Sequence, residues 1–299
     1  MTGQANGSEF TAETARRALE SACTTNGLKQ SEAELIRLGE NAIFILPQEG
    51  VVARIARTVA NRDRVERELA VARWLDQNDY PAVRVAEHLT QPIEADQRLV
   101  TFWHEVDIVG EATLDDLAVL LRDFHALPAP EFTLPQFNPF SAVPTRLADP
   151  GNADPDAVAY LTDLYEELRT KYATLTFDAP LGVIHGDAHR GNVMVSAAGP
   201  LLSDFEVVAW GPREWDLTTT AMALQRFDLP QQEYESYVRI YGRDVTQWSG
   251  FPIMSGVREL TMTTWLMQLV DHSADRAREF AHRIDSLRAG DRQRRWHAF

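Results

Sequence analysis

The segment at residues 181–204 constrains the fold of this chain more than any other part of the sequence. It begins with a short apolar strand and continues through His-Gly-Asp-Ala-His-Arg-Gly-Asn at residues 185–192. An apolar run after Asn192, a turn at residues 197–200 and a second apolar run then predict a β-hairpin. A hairpin of this length would bring Asp204, twelve residues further on, back beside Asn192.

The polar side chains of this segment suggest a division of chemical roles. Asn192 and Asp204 offer hard oxygen atoms, and Mg²⁺ takes only a few protein ligands of this kind when it also binds phosphate groups. Asp187 would then be free to accept the proton of an attacking hydroxyl. An aspartate, an asparagine five residues on and a later metal-binding aspartate are the arrangement of phosphoryl-transfer enzymes. The segment therefore predicts Asp187 as the catalytic base and Asn192 and Asp204 as metal ligands.

Two other interpretations of this segment stay open. Asp, Asn and Gly are ordinary turn residues, so the spacing by itself is also compatible with a plain loop. Histidine and aspartate bind transition metals well, and residues 186–189 could therefore belong to a two-metal phosphoesterase. Such a site needs further clusters of His and Asp, but the other histidines are scattered singly along the chain. The phosphoesterase interpretation is accordingly the weaker one.

Composition indicates a soluble globular protein. Of the 299 residues, 44% are hydrophobic and 24% are charged, which allows one large domain or two lobes with an ample core. No apolar run approaches the roughly 20 residues of a membrane span. Residues 1–10 are polar, which argues against a signal peptide. The single cysteine, Cys23, excludes an internal disulfide, and we therefore expect a cytoplasmic protein.

Residues 35–55 predict three antiparallel strands with the turn Gly-Glu-Asn at residues 39–41 between the first two. A glycine turn can let backbone amides approach phosphate groups, so Asn41 is a candidate nucleotide contact, although a plain hairpin has the same pattern. The third strand contains Val-Val-Ala-Arg, which has the form of the kinase strand Val-Ala-Ile-Lys with Arg54 in the lysine position. Because a guanidinium stays charged and binds phosphate through two donors, Arg54 is the candidate phosphate ligand.

A helix is predicted at residues 61–75, with Asn61 as its N-cap. Its apolar side chains recur at helical spacing, and Glu68 falls on the same stripe. An unpaired buried charge is unfavourable, so Glu68 needs a partner. We expect Arg54 on the neighbouring strand to form that ion pair, although Glu68 could also lie at the wet edge of the stripe.

A further strand at residues 98–103 leads into His-Glu-Val at residues 104–106. This strand would connect two lobes, with a backbone edge that could bind a purine. Trp103, Glu105 and Val106 are therefore candidate nucleotide contacts. A purely structural aromatic strand fits the pattern almost as well.

The second part of the chain is predicted to be mostly helical. Thr113 opens a helix with a Thr-x-x-Asp sequence that resembles a capping box. Residues 128–155 are proline-rich and are expected to lack regular structure. A strand-rich first third followed by a helical remainder indicates an α+β fold. Helices are predicted at residues 11–23, on the surface, and at residues 157–171, 217–224, 232–241, 256–270 and 274–288.

Together these features resemble the aminoglycoside phosphotransferase and choline kinase-like superfamily, which shares the protein-kinase fold. The resemblance is most specific at residues 185–192 with Asp204, and in Gly-Pro-Arg-Glu-Trp-Asp-Leu at residues 211–217. It implies a two-lobed protein-kinase-like fold. The β-rich nucleotide-binding lobe would span residues 1–104, and the mostly helical catalytic and substrate-binding lobe would span residues 105–299.

The resemblance also implies supporting roles around the catalytic loop. Asp216 would brace the loop through backbone contacts, which is compatible with a second role as a helix N-cap, and His185 would support it structurally. Gly186 stands where protein kinases have arginine, which points to the small-molecule branch. One departure from the pattern is Arg54, which replaces the lysine that the superfamily leads us to expect.

Charge distribution bears on the acceptor. The formal net charge of −15 argues against nucleic acid as a partner. Between residues 104 and 169 there are 13 acidic residues against 3 arginines, which suits a solvated face but would also attract a cation. With Glu206 adding to this negative potential, we expect a neutral or cationic acceptor. Glu206 and Trp265 are the candidate acceptor contacts, because cations bind well to indole rings, although Trp265 also fits a core position.

The sequence therefore predicts an ATP- and Mg²⁺-dependent kinase that acts on a hydroxyl of a small molecule. Its partners would be the nucleotide and the acceptor, without nucleic acid or membrane, and its oligomeric state is left open. A nucleotide-binding pseudokinase that regulates a partner is the first alternative, but Asp187, Asn192 and Asp204 are all present. Aminoglycosides, choline-like amines, sugars, nucleosides and homoserine are all open as acceptors.

Overall fold

A computed structural model of the chain describes residues 9–298. The polar stretch at residues 1–10, from which we predict the absence of a signal peptide, lies almost entirely outside the described part. The described residues form two compact units. The N-terminal unit comprises the described residues up to Ala112, with Pro130–Phe132 and Asn192–Glu206, and the C-terminal unit comprises Thr113–Ala129, Thr133–Gly191 and residues 207–298.

The helices and strands of the described residues are numbered in chain order. The helices are α1 Ala12–Asn26, α2 Arg62–Gln77, α3 Leu114–Ala126, α4 Val143–Ala148, α5 Pro155–Tyr172, α6 Glu214–Arg226, α7 Gln231–Tyr241, α8 Phe251–Met267 and α9 Ala274–Arg288. The strands are β1 Glu34–Leu38, β2 Asn41–Leu46, β3 Val51–Ala56, β4 Ile93–Ala95, β5 Arg98–His104, β6 Gly182–Ile184, β7 Val193–Ser196, β8 Gly199–Leu202 and β9 Ala209–Gly211.

The N-terminal unit is built on a five-stranded antiparallel sheet in the order β1-β2-β3-β5-β4. The predicted three-strand meander is confirmed, because β1 pairs with β2 and β2 pairs with β3. Along β2 the side chains of Ala42, Phe44 and Leu46 are buried while their neighbours are half-buried, which is the two-residue period of a strand with one face on a core.

Helix α1 is a surface helix, as predicted, with one face exposed and the other buried. Its side chains at Ala15, Ala18, Leu19 and Ala22 are fully buried in the same core as the sheet. Their spacing of three and four residues places them on one helical face, which closes the sheet on that side. The helix begins after Thr11, whose side chain accepts a hydrogen bond from an amide of the first turn.

Helix α2 carries Glu68 as predicted, but its start differs from the prediction. The helix begins at Arg62, after a short 3₁₀ turn at Val59–Asn61, and Asn61 makes no capping hydrogen bond with its side chain. Thr58 instead caps the 3₁₀ turn by accepting from the amide of Ala60. The capping residue thus lies one turn earlier than the sequence pattern indicates.

The C-terminal unit is mostly helical, as predicted, and the capping box at Thr113 is present. The proline-rich stretch at residues 128–155 is not wholly irregular, because it contains α4, with a proline in its first turn. Proline suits that position, since the amide it lacks would have no partner there. Helix α8 begins at Phe251 and not at the predicted residue 256, and Gly256 lies inside it, where a Cβ would approach the side chain of Leu168 to 3.1 Å.

A five-stranded antiparallel sheet in the N-terminal unit and a mostly helical C-terminal unit confirm the α+β fold class. Of the helices described, none has both the length and the apolar character that a membrane span requires.

Candidate active site

The hairpin that follows Asn192 is the one that the sequence predicts. Strands β7 and β8 pair antiparallel, with Val193 opposite Leu202. Both the amide and the hydroxyl of Ser203 donate to the carbonyl oxygen of Asn192, each at 2.9 Å. Asp204, the next residue, is therefore held beside Asn192 within the N-terminal unit.

Asp204 has an unusual backbone conformation. Its φ is +65°, in the left-handed region, which residues other than glycine rarely adopt. Aspartate is one of the residues that tolerate this region, and such conformations are enriched at functional sites. The turn directs the chain away from β8 immediately after Ser203 and fixes the position of the aspartate.

The candidate catalytic loop, at residues 185–192, follows strand β6, which pairs with β9 in the C-terminal unit. Gly186 in this loop has a φ of +84°, and a Cβ at this position would lie 2.5 Å from the carbonyl oxygen of Val207. Both observations require glycine, because a side chain would be strained by the backbone conformation and would collide with backbone. The loop therefore lies close to the segment that precedes β9.

Helix α6 holds the backbone of the candidate catalytic loop through hydrogen bonds. The carboxylate of Asp216 accepts hydrogen bonds from the amides of His185, at 2.7 Å, and Gly186, at 2.8 Å. The indole of Trp215 donates to the carbonyl oxygen of Gly186 at 2.7 Å. This is the bracing role that the family resemblance implies for Asp216. Asp216 is not an N-cap, because the helix begins two residues earlier, at Glu214.

His185 and Asp216 are both buried, and the carboxylate of Asp216 has one further partner. His125 on α3 approaches Asp216 through Nε2 at 3.0 Å, and its Nδ1 lies 2.8 Å from the hydroxyl of Tyr241. A carboxylate without access to water requires several partners of this kind. The support of the loop therefore extends through three helices of the C-terminal unit.

Asp187 differs from Asp216 because its side chain is 48% exposed. Its Oδ2 lies 3.4 Å from Nε2 of His189, and its Oδ1 lies 3.4 Å from Nη2 of Arg258 on α8. Partial burial alone would raise the pKa of this carboxyl. The hydrogen bond from His189 and the nearby positive charges outweigh that effect and lower the pKa to about 2. Asp187 is therefore ionised at neutral pH. The stability that the ionised carboxylate contributes is present above the ordinary pKa of 3.8 and is lost as the pH falls from there through about 2.

In the N-terminal unit, Arg54 and Glu68 form the predicted ion pair. Burial raises the pKa of Glu68, and the charge of Arg54 opposes that shift. The other terminal nitrogen of Arg54 donates to Glu206 at 2.6 Å. Arg54 thus joins β3, α2 and the segment after Asp204.

Glu206 was a candidate acceptor contact, and the structure gives it different neighbours. Its side chain is 11% exposed. Its carboxylate accepts hydrogen bonds from Arg54 and from Arg64 on α2, and from the side-chain amide of Asn41 at 2.5 Å. The turn before β2, the strand β3 and the helix α2 therefore all converge on this carboxylate. We accordingly group Glu206 with the phosphate-binding candidates Asn41 and Arg54.

Carboxylate oxygens of Glu68, Asp204 and Glu206 lie within 4.8 Å of one another and could hold a cation. No histidine belongs to this group. Arg54 and Arg64 already offset part of its negative charge. The donor chemistry of Asp204 and Asn192 is that of hard oxygen ligands, which fits Mg²⁺.

The three purine candidates lie at or after the end of β5. Trp103 is buried, with its ring 5.9 Å from the guanidinium carbon of Arg54. The amide of Glu105 donates to the carbonyl oxygen of Gly50 at 2.9 Å, while the side chain of Val106 is half-buried. Trp265 lies on α8 in the C-terminal unit, with 40% of its surface exposed. A simple core position does not describe it.

The model of the phosphotransferase enzyme family matches residues 39–260 of the chain. The chain belongs to this family. The matched part of this phosphotransferase begins at the glycine turn before Asn41, includes Asp187, Asn192 and Asp204, and ends within α8. No curated protein matches the sequence.

Solved structures of small-molecule kinases are similar to this phosphotransferase in fold. The amicoumacin kinase hAmiN, solved with AMP-PNP, Ca²⁺ and Ami, is 14% identical over 93% of this chain and 94% of that one, with a TM-score of 0.74. A microcompartment-associated aminopropanol kinase is 18% identical over 89% and 93%, with a TM-score of 0.69. A choline/ethanolamine kinase family protein from Mesorhizobium loti is 17% identical over 92% and 94%, with a TM-score of 0.65. These similarities confirm the kinase-like fold.

The sequence reasoning missed two arginines of this phosphotransferase, Arg64 and Arg258. Arg64 is a half-buried residue of an arginine-rich helix, where it has no distinguishing pattern. Arg258 did have a signal, because Arg258 and Glu259 are the only charged residues in the sequence of α8. A lone charged pair in an apolar helix indicates buried partners elsewhere in the fold.

Proposed function

We propose that this protein is a kinase that transfers the γ-phosphate of ATP to a hydroxyl group of a small molecule. The observation that carries the proposal is the hairpin contact of Ser203 with Asn192, which holds Asp204 beside Asn192. Two oxygen ligands fixed in this way, five and seventeen residues after an exposed and ionised aspartate, match the parts that phosphoryl transfer requires. Membership of the phosphotransferase family and the nucleotide analogue bound by the amicoumacin kinase support it.

Each candidate residue then has one role. Asp187 accepts a hydrogen bond from the acceptor hydroxyl, orients it and takes its proton as the new bond to the γ-phosphorus forms, while the bond from that phosphorus to the bridging oxygen of ATP breaks and ADP leaves. Asn192 and Asp204 would hold Mg²⁺. Mg²⁺, when bound, supplies positive charge that offsets the charge on the phosphate groups. We propose that residues 1–104 bind the nucleotide and that residues 105–299 supply catalysis and acceptor binding.

For the nucleotide, we propose that Arg54 binds phosphate, while Asn41, Trp103, Glu105 and Val106 contribute to the rest of the site. Both terminal nitrogens of Arg54 already donate to carboxylates, one to Glu68 and one to Glu206. A phosphate group that binds Arg54 therefore competes with Glu206. Glu68 keeps the guanidinium in place during this exchange.

We expect that Arg54→Ala and Glu68→Ala each weaken ATP binding and that the double variant loses much less than the sum. Residues of one ion pair typically show a coupling free energy of about 0.5–3 kcal/mol. Calorimetric ATP affinities of the four proteins give this coupling. Arg73→Ala, at an arginine of the same helix with an exposed ion pair to Glu87, is the control and should change nothing. Additive losses would mean that Glu68 does not act through Arg54.

The acceptor is proposed to be neutral or cationic, because acidic residues predominate between residues 104 and 169. Trp265 is the proposed aromatic contact, since its ring is exposed on α8. Such a negative field concentrates amines and repels anions, and salt screens it.

A panel of cationic, neutral and anionic alcohols, assayed for ATP consumption, tests the proposed function. We expect turnover with a cationic or neutral alcohol, and we expect higher salt to raise KM for a cationic acceptor. A preferred acceptor with a carboxylate or phosphate group would contradict the electrostatic argument and leave the kinase assignment intact. ATP binding without consumption across the panel would favour a regulatory nucleotide-binding protein.

A further inference from the structure

Helix α8 buries two charges that have different partners. Glu259 is paired with the buried Arg226, at 2.5 Å, and this pair belongs to the core of the C-terminal unit. Arg258 is also buried, yet it is directed towards the catalytic loop. Burying a guanidinium is unfavourable unless its donors and charge find partners, so the contacts of Arg258 indicate its purpose.

Three groups surround the guanidinium of Arg258. It donates to the hydroxyl of Thr219 on α6, and its Nη2 lies 3.4 Å from Oδ1 of Asp187. The ring of Trp215 lies 4.7 Å from the guanidinium carbon, in the geometry of a cation–π contact. The side chain of Arg258 is 10% exposed, whereas that of Asp187 is 48% exposed. The buried guanidinium of Arg258 therefore lies beside the accessible carboxylate of Asp187.

These contacts complement those that α6 makes with the loop. Trp215 and Asp216 hold the backbone of His185 and Gly186. Arg258 acts on the next residue along, and it acts on the side chain. Because Trp215 touches both the loop carbonyl and Arg258, the backbone and the side chain of the loop are positioned by one connected group of residues.

We propose that Arg258 is a positioning residue that orients the carboxylate of Asp187 for phosphoryl transfer. This inference rests on the proposed function. The guanidinium of Arg258 contacts Oδ1 of Asp187. This contact fixes the rotation of the Asp187 carboxylate and determines which of its lone pairs an acceptor hydroxyl can reach. Arg258 itself contacts neither the nucleotide nor the acceptor in this proposal.

The charged and titratable groups that face Asp187 are Arg258, His189 and His185. Arginine remains charged throughout the physiological range, so Arg258 supplies a constant positive field on Asp187.

Three variants separate positioning from a general structural effect. Arg258→Met removes the charge but keeps the length of the side chain, and the exposed Asp187 carboxylate stays hydrated. Arg258→Lys keeps the charge and removes the planar guanidinium with its several N–H donors. Arg283→Lys is the matched control, because Arg283 is a buried arginine of the same unit that stacks on Trp296 at 4.8 Å and binds Glu279.

The first measurement is a ¹³C NMR titration of the Asp187 carboxyl, assigned by its absence in Asp187→Asn, over the acidic range in which each protein stays folded. Loss of an opposite charge at this distance should raise the titration midpoint by about one pH unit or more in Arg258→Met, and by less in Arg258→Lys. Arg283→Lys should leave the midpoint unchanged.

The second measurement is ATP consumption with the best alcohol of the acceptor panel. We expect kcat of Arg258→Met to fall by about 10- to 10²-fold with KM for ATP unchanged, because misplacing a reacting group by about 1 Å has an effect of this size. Arg258→Lys should recover part of kcat. An unchanged Asp187 midpoint in Arg258→Met, or equal losses of kcat in Arg258→Lys and Arg283→Lys, would overturn the proposal. Absence of ATP consumption by the wild-type protein would instead overturn the proposed function, and the titration would still decide whether Arg258 acts on Asp187.

Discussion

Asp187→Asn is expected to lower kcat for phosphoryl transfer by at least about 10²-fold while leaving ATP binding nearly unchanged. Asparagine keeps the size of the side chain, but it cannot accept the proton of the acceptor hydroxyl, and removal of a general base has an effect of this order. The fold should survive, because the side chain of Asp187 is half exposed and the backbone of the loop is held by Asp216 and Trp215.

The measurement is kcat from ATP consumption together with the ATP affinity from calorimetry. Asp163→Asn is the matched control, because Asp163 is an exposed aspartate of α5 in the same unit. Turnover close to that of the wild-type protein in Asp187→Asn would remove Asp187 from the mechanism.

Asp204→Ala is expected to abolish the part of ATP binding that depends on Mg²⁺. The affinity for ATP measured with Mg²⁺ should fall to the value measured without the metal, because a carboxylate ligand of a hard cation is lost. Calorimetry of wild type and variant, each with and without Mg²⁺, gives the four affinities that are needed.

Asp204→Asn separates the ligand effect from a backbone effect. The φ of +65° at Asp204 disfavours alanine, so part of the effect of Asp204→Ala could come from a displaced turn. Asparagine tolerates the left-handed region as aspartate does, and it removes only the charge. Retention of the full Mg²⁺ effect in Asp204→Asn would mean that the carboxylate is not a metal ligand.

The parts of the site that the sequence determined are those set by short-range patterns. The hairpin between Asn192 and Asp204 follows from two apolar runs around a turn, because strand pairing across a short turn has little freedom of register. The burial of Glu68 follows from helical periodicity, because a residue three after Val65 must share its face. Its ion pair with Arg54 follows from burial, because a buried carboxylate needs a cation.

Local patterns also produced errors, and these have a common cause. Asn61 is a good capping residue by type, but the chain uses Thr58 and a 3₁₀ turn instead. Prolines after residue 128 suggested an irregular segment, yet one of them, Pro144, lies in the first turn of α4. Residue type states which conformations are accessible, whereas packing against the remainder of the unit selects among them.

The tertiary structure alone decided which residues distant in sequence contact Asp187 and Arg54. Arg258 reaches Asp187 across 71 positions of sequence, and Arg54 reaches Glu206 across 152. No periodicity or spacing encodes such contacts, because they depend on how helices and strands pack after they have formed. The sequence by itself determined which residues are candidates for the chemistry, since that choice depends on functional groups and local geometry. The packing of α6 and α8 decided that Arg258 lies beside the Asp187 carboxylate, and a buried cation acts on a neighbour only at the distance at which the fold holds it.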